Sequence, residues 1–220
     1  MADTSTKVLD TLGKHKLVPV VVLDSADHAG PLAEALIGGG LPVAEVTMRT
    51  DAAEASINEM CKHEGLLVGA GTVLTVEQAK RAIGAGAAFV VTPGTNPPVV
   101  KYCLEQGVPI TPGVATPTDI DLARGLGVDV LKFFPAEAYG GIKTLKALSG
   151  PYGNVKFIPT GGVSPDNLRD YLALPVPACG GSWMVERTPR ERGRVRQDQG
   201  AGGGGGGDGE ATGVMSCSRI

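Results

Sequence analysis

Short apolar runs alternate with longer stretches of helical period along residues 17–185, the pattern of repeated βα units. The spacing predicts strands at about 17–24 (LVPVVVLD), 43–49 (VAEVTMR), 66–73 (LLVGAGTV) and 88–93 (AFVVTP). Four more are predicted at about 108–114 (VPITPGV), 128–134 (VDVLKFF), 155–160 (VKFIPT) and 177–184 (PACGGSWM). Amphipathic stretches such as 52–64 and 75–86 lie between them, and several end in Gly, which adopts the left-handed conformation that terminates helices. Eight strands with short connections predict a closed parallel (β/α)8 barrel. The open doubly wound sheet is the alternative, but no G-x-G-x-x-G follows the first strand.

The pattern stops near residue 185. A barrel needs an eighth amphipathic helix over the outside of strands eight and one, yet residues 186–220 offer no apolar stripe and carry six consecutive glycines at 202–207. Residues 1–185 hold ten Lys and four Arg, whereas 186–220 hold six Arg and no Lys. We therefore expect a barrel domain over 1–185, with the eighth helix missing or replaced by a disordered Arg/Gly-rich tail over 186–220. A shifted reading frame, an altered splice and a genuine extension all fit such a change of composition.

Charge and composition then narrow the partners. A formal net charge of −3 argues against nucleic acid or an anionic membrane surface. No apolar run approaches the roughly 18 residues that span a bilayer, and the N-terminus lacks an apolar signal segment, so a cytoplasmic location is expected. The histidines at 15, 28 and 63 and the cysteines at 61, 103, 179 and 217 show no metal-ligand spacing and no C-x-x-C pair. Neither a metal nor a cofactor is expected.

Chemistry concentrates on a few strands. On strand two, Glu45, Thr47 and Arg49 share one face and Ala44, Val46 and Met48 the other. The apolar set suits the helix-covered outside, which turns the polar set toward the barrel axis; layer filling or an internal salt bridge is the plainer explanation. Strand six carries Lys132 amid Val-Leu-Lys-Phe-Phe. Loss of hydration there favours the free amine, a nucleophile for ketones; the alternative is a lysine that snorkels from the strand end or pairs with a carboxylate. Thr160-Gly161-Gly162 and Gly180-Gly181-Ser182 place glycines at the ends of strands seven and eight, where barrels often bind phosphate, although glycine also simply permits tight turns. Thr72 and Pro93 fall on the same rim as ligand contacts or as ordinary turn residues.

These stretches resemble a known family. EVTMRT (45–50), VGAGTVL (68–74), VTPGTNPP (91–98), KFFPAEAYGG (132–141), PTGGVSPDN (159–167) and GGSW (180–183) are similar, in barrel order, to the 2-dehydro-3-deoxy-phosphogluconate and 4-hydroxy-2-oxoglutarate aldolases. The resemblance implies a homotrimeric, metal-independent barrel that cleaves a phosphorylated keto-acid to pyruvate and glyceraldehyde 3-phosphate. It implies Lys132 as the Schiff-base lysine and Glu45 as the general acid/base. It further implies Arg49 and Thr72 at the substrate carboxylate, Pro93, Phe134 and Thr160 around the pyruvate end, and Gly161, Gly162 and Ser182 at the phosphate. The departure from the family pattern is ERTPRERGRV after GGSW. A sister aldolase for the epimeric substrate, a phosphosugar isomerase and a ligand-binding product without turnover are the competing expectations.

Overall fold

The computed structural model describes residues 4–185; the segment 186–220, and with it the expected tail, lies outside the described residues. Among the described residues there are nine strands and eight α-helices, alternating except where β5 runs on into β6. The strands are β1 (Leu17–Val21), β2 (Val43–Thr47), β3 (Leu67–Gly71), β4 (Phe89–Val91), β5 (Ile110–Thr111), β6 (Gly113–Val114), β7 (Val130–Phe133), β8 (Lys156–Pro159) and β9 (Cys179–Gly181). The helices are α1 (Thr4–His15), α2 (Ala29–Gly38), α3 (Ala53–Met60), α4 (Val76–Gly84), α5 (Pro97–Glu105), α6 (Pro117–Gly125), α7 (Gly141–Ser149) and α8 (Leu168–Leu172).

Local chemistry sets these boundaries. Thr75 caps α4 by accepting from the Gln78 N–H, and Thr116 with Asp119 forms a reciprocal capping box on α6. Pro97 and Pro117 open α5 and α6, where a missing N–H costs nothing.

Every strand pair is parallel. One sheet runs β5-β4-β3-β2-β1-β9 and the other β6-β7-β8. The strand expected over 108–114 is split at Pro112, which has no N–H to give a ladder. Its carbonyl still accepts from the Lys132 N–H at 2.9 Å. An isolated parallel bridge, Thr160 to Gly180, links the end of β8 to β9. The α/β class expected from the sequence is thus present as a curled parallel sheet.

Two apolar clusters lie on opposite sides of this sheet. The larger joins its outer face to the helices and includes Ala44, Val46, Leu131, Ile57 and Leu145. The smaller gathers Val18, Val43, Phe89, Val91, Ile158 and Ala178, from strands and strand ends of both sheets, around Val8 and Leu12 of α1. That helix was not anticipated from the sequence. It ends where Lys16 takes a positive φ of 63° and donates its N–H to the Leu12 carbonyl, redirecting the chain into β1.

Leu12 is almost fully buried. Leu12→Ala is expected to cost about 2–3 kcal/mol through lost burial and a residual cavity, measured by urea denaturation. A loss under about 0.5 kcal/mol, the range of ordinary surface positions, would show that α1 does not seal the inner cluster.

Candidate active site

The inner face of the curled sheet is apolar at the N-terminal ends of the strands and polar toward their C-terminal ends. Above Val43 on β2 come Glu45 and Thr47, and above Val130 on β7 comes Lys132; all three polar residues are buried. The Thr47 hydroxyl is used structurally, donating to the Val21 carbonyl at 3.0 Å. Glu45 and Lys132 find each other, 87 residues apart in sequence, with Nζ donating to Oε1 at 3.3 Å. Their residues are only 3% and 5% exposed, so each charge is the other's main compensation for lost water.

Glycine makes room for this pair. The inward positions of β3 are Gly69 and Gly71, beside β2 in register with Glu45 and Thr47. A Cβ on Gly71 would lie 2.2 Å from Glu45 Oε1 and 2.6 Å from its Cγ; one on Gly69 would lie 2.3 Å from the Phe89 ring. The carboxylate can lean across β3 only because nothing projects there. A signal for this that the sequence carries, but that the sequence reading did not single out, is G-x-G within VGAGTVL (68–74), at the period of a strand.

The remaining expected residues occupy the C-terminal rim. Phe134, half-buried, sets its ring centroid 5.0 Å from Lys132 Nζ, within range for a cation–π contact. Thr160 is buried after β8, and its side chain fills the space a Cβ on Gly180 would take, 2.4 Å from Oγ1. Gly161 and Gly162 form a turn with φ of 94° and 82°, a region L side chains avoid. Both carbonyls of that turn are held: Gly161 accepts from the Glu137 N–H at 3.0 Å, and Gly162 from Asn167 Nδ2 at 3.0 Å. Ser182 is exposed just beyond β9.

Thr72 follows β3 with φ of 54°, and Pro93 follows β4, its carbonyl oxygen 2.0 Å from where a Cβ on Gly113 would sit. Arg49 departs from expectation in one respect. The strand expected over 43–49 ends at Thr47; after the Met48 N–H donates to the Gly71 carbonyl at 2.7 Å the chain turns. Arg49 is therefore an exposed rim residue and not an inward strand residue. It shares the mouth with Thr72, Pro93 and Ser182 by position, whereas Lys132, Glu45 and Phe134 are joined by direct contact.

Other nucleophiles fit less well. Burial pushes the Cys103 thiol up to about 11 and the Cys179 thiol up to about 12, so both stay protonated at neutral pH. Both also belong to the cluster on the outer face. Among the described residues no three His, Cys, Asp or Glu side chains gather to hold a metal ion, and no helix is long and apolar enough to cross a membrane. Two residues the sequence reading passed over, Glu137 and Tyr171, stand behind the Gly161–Gly162 turn; the Tyr171 hydroxyl donates to the Glu137 carboxylate.

Comparison with known proteins adds to this geometry. The family described as KDPG and KHG aldolase matches residues 8–197. The chain is similar to the 2-dehydro-3-deoxy-phosphogluconate aldolase of Haemophilus influenzae, 49% identical over 85% of this chain and 89% of that one. Among solved structures it is similar to the 2-keto-3-deoxy-6-phosphogluconate aldolase of Zymomonas mobilis with 3-phosphoglycerate, with a TM-score of 0.78 and 40% identity over 81% and 86% of the two chains. It is also similar to the KDPG aldolase of Legionella pneumophila with pyruvate captured as a covalent carbinolamine intermediate, with a TM-score of 0.78 and 38% identity over 86% and 91%.

The buried pair makes a thermodynamic prediction. Glu45→Gln and Lys132→Met are each expected to cost about 3 kcal/mol by stranding the other charge, while the double variant stays within about 1 kcal/mol of the parent. Denaturant melts of the four proteins test this, and simple additivity would mean that the two groups do not depend on each other.

Proposed function

The chain belongs to the KDPG and KHG aldolase family, and from that membership we propose that it cleaves 2-dehydro-3-deoxy-6-phosphogluconate to pyruvate and glyceraldehyde 3-phosphate. Cleavage of 4-hydroxy-2-oxoglutarate to pyruvate and glyoxylate is the accompanying activity. The observation that carries the reading is the Lys132 amine held 3.3 Å from the Glu45 carboxylate on a buried inner face. A carboxylate at that distance can take the proton from the ammonium and return it to a departing oxygen.

The chemistry follows from those two groups. The Lys132 Nζ lone pair attacks the C2 ketone, the oxygen is protonated to a carbinolamine, and loss of water leaves a protonated imine. Glu45, through a water molecule, then removes the C4 hydroxyl proton while the C3–C4 bond breaks. The bonding electrons pass into the imine as an enamine, and the aldehyde departs. Protonation at C3 and hydrolysis release pyruvate and the free amine. Water that leaves in the first half returns in the second, so no redox partner enters the balance. This is metal-independent, class I aldolase chemistry.

Each rim residue has a matching task. Arg49 and Thr72 hold the substrate carboxylate, where a guanidinium offers two parallel donors and fixes the angle of attack. Pro93, Phe134 and Thr160 line the pyruvate end. Gly161, Gly162 and Ser182 take the phosphate, on a turn without Cβ atoms whose carbonyls are already occupied from behind.

The same reading makes the two sheets arcs of one closed (β/α)8 barrel. The chain is continuous across Pro112 on one side, and the Thr160–Gly180 bridge spans the other seam. The family likeness further supports a homotrimer working in the cytoplasm.

Borohydride added with pyruvate should leave a stable mass increment on the peptide containing Lys132, since it reduces an imine to a secondary amine. Lys132→Ala should lose both the label and cleavage, and both should survive EDTA in the parent protein. A label on another lysine, or activity lost to EDTA and restored by a divalent cation, would overturn the assignment.

The two roles on and after β2 should separate kinetically. Glu45→Gln should lower kcat by about 100-fold or more with little change in KM, as expected when a proton-transfer group is lost. Arg49→Ala should chiefly raise KM for both keto-acids. The reverse pattern would interchange the roles.

A further inference from the structure

The Gly161–Gly162 turn is buttressed by a residue of awkward charge. Glu137 lies against it so closely that a Cβ on Gly162 would come within 2.5 Å of Glu137 Cβ and 2.6 Å of its Cγ. Its own N–H donates to the Gly161 carbonyl at 3.0 Å, and the preceding Ala136 N–H donates to Thr160 at 2.8 Å. A carboxylate on so short a stem beside a bound anion would repel it. In the structure it is turned away, into the start of α7, where a Cβ on Gly141 would lie 2.7 Å from Glu137 Oε1 and 3.0 Å from the Tyr171 hydroxyl oxygen. The fully buried Tyr171 of α8 holds it there by donating its hydroxyl. Burial and the neighbouring carboxylate hold this hydroxyl above its ordinary range, so it remains a donor throughout the working pH.

We propose that Tyr171 is a positioning residue for phosphate selectivity. By anchoring the Glu137 carboxylate behind the Gly161–Gly162 turn, it keeps a negative charge off the anion and fixes the turn. The inference rests on the reading that phosphate binds at Gly161, Gly162 and Ser182, and it adds two residues to which neither the reaction scheme nor the substrate contacts give a part. Its reach is selective. A phosphorylated keto-acid senses the turn, whereas 4-hydroxy-2-oxoglutarate, which lacks the phosphate, does not.

Steady-state kinetics on the full chain with both substrates test this, using Tyr171→Phe, the double variant Tyr171→Phe/Glu137→Gln, and Ser182→Ala. Tyr171→Phe should raise KM for the phosphorylated substrate about tenfold, the size of one lost hydrogen bond to a charged group. Its kcat, and both constants for 4-hydroxy-2-oxoglutarate, should stay within about twofold, the scatter of a residue outside the chemistry. Glu137→Gln in that background should bring KM back to within about threefold of the parent, because a released amide does not repel the anion. A Tyr171→Phe variant that harms both substrates alike, or one that Glu137→Gln fails to restore, would overturn the proposal and leave Tyr171 a packing residue. Ser182→Ala separates the two levels. If it raises KM for the phosphorylated substrate alone while Tyr171→Phe changes nothing, the phosphate site stands and the anchoring role falls. If Ser182→Ala does not discriminate the substrates either, the phosphate site is misplaced and the proposal falls with it.

Discussion

Two opposite charges taken out of water beside each other constrain everything above them in this molecule. Lys132 and Glu45 are each nearly inaccessible, and a solitary ion at either position would cost several kcal/mol. Their pairing requires that β2 and β7 face one another across the inside of the sheet, and that β3, beside β2, carry no side chain where the carboxylate lies. Gly71 meets the second condition. The first is met by a sheet that curls, with inner-face residues of both its parts gathered into one cluster. Such a pair is a poor source of stability compared with apolar packing, so its presence in the core is better explained by what a proton donor and acceptor can do there than by what they add to folding.

The site divides along the strand axis. Apolar residues at the N-terminal ends give a rigid floor, the ion pair occupies the middle, and glycine turns with Ser182 form the rim. On the proposed function, a substrate that is a keto-acid at one end and a phosphate at the other would meet matching chemistry in the same order. Strand geometry enforces this sequence of layers, because successive inward residues on one strand are two positions and about 7 Å apart.

Much of this was legible in the sequence. The alternation of short apolar runs with helical stretches indicated parallel βα units, and the inward alternation of Glu45 and Thr47 followed from period two alone. A lysine inside Val-Leu-Lys-Phe-Phe was conspicuous because charge in an apolar strand needs a reason. What stayed hidden has physical causes. Pro112 breaks a ladder without breaking the apolar pattern, so one expected strand became two. Arg49 continued the polar alternation past the last residue of β2, since periodicity does not report where a strand ends. Among its described side chains the α1 helix buries Val8 and Leu12, one turn apart, too short a stripe amid polar neighbours to signal a helix. The Tyr171–Glu137 contact joins residues 34 apart that the fold alone brings together.

The α1 helix carries a consequence of its own. By packing Val8 and Leu12 against the inner-face residues at the N-terminal ends of the strands it fills the space beneath Glu45 and Lys132, so on the proposed chemistry substrate and products pass by the C-terminal rim. On the same chemistry the phosphorylated aldehyde forms nearest that rim while the three-carbon fragment is still bonded to Lys132 at the bottom. Traffic is then ordered by geometry: the aldehyde clears the mouth first, and the water that frees the second product follows it down.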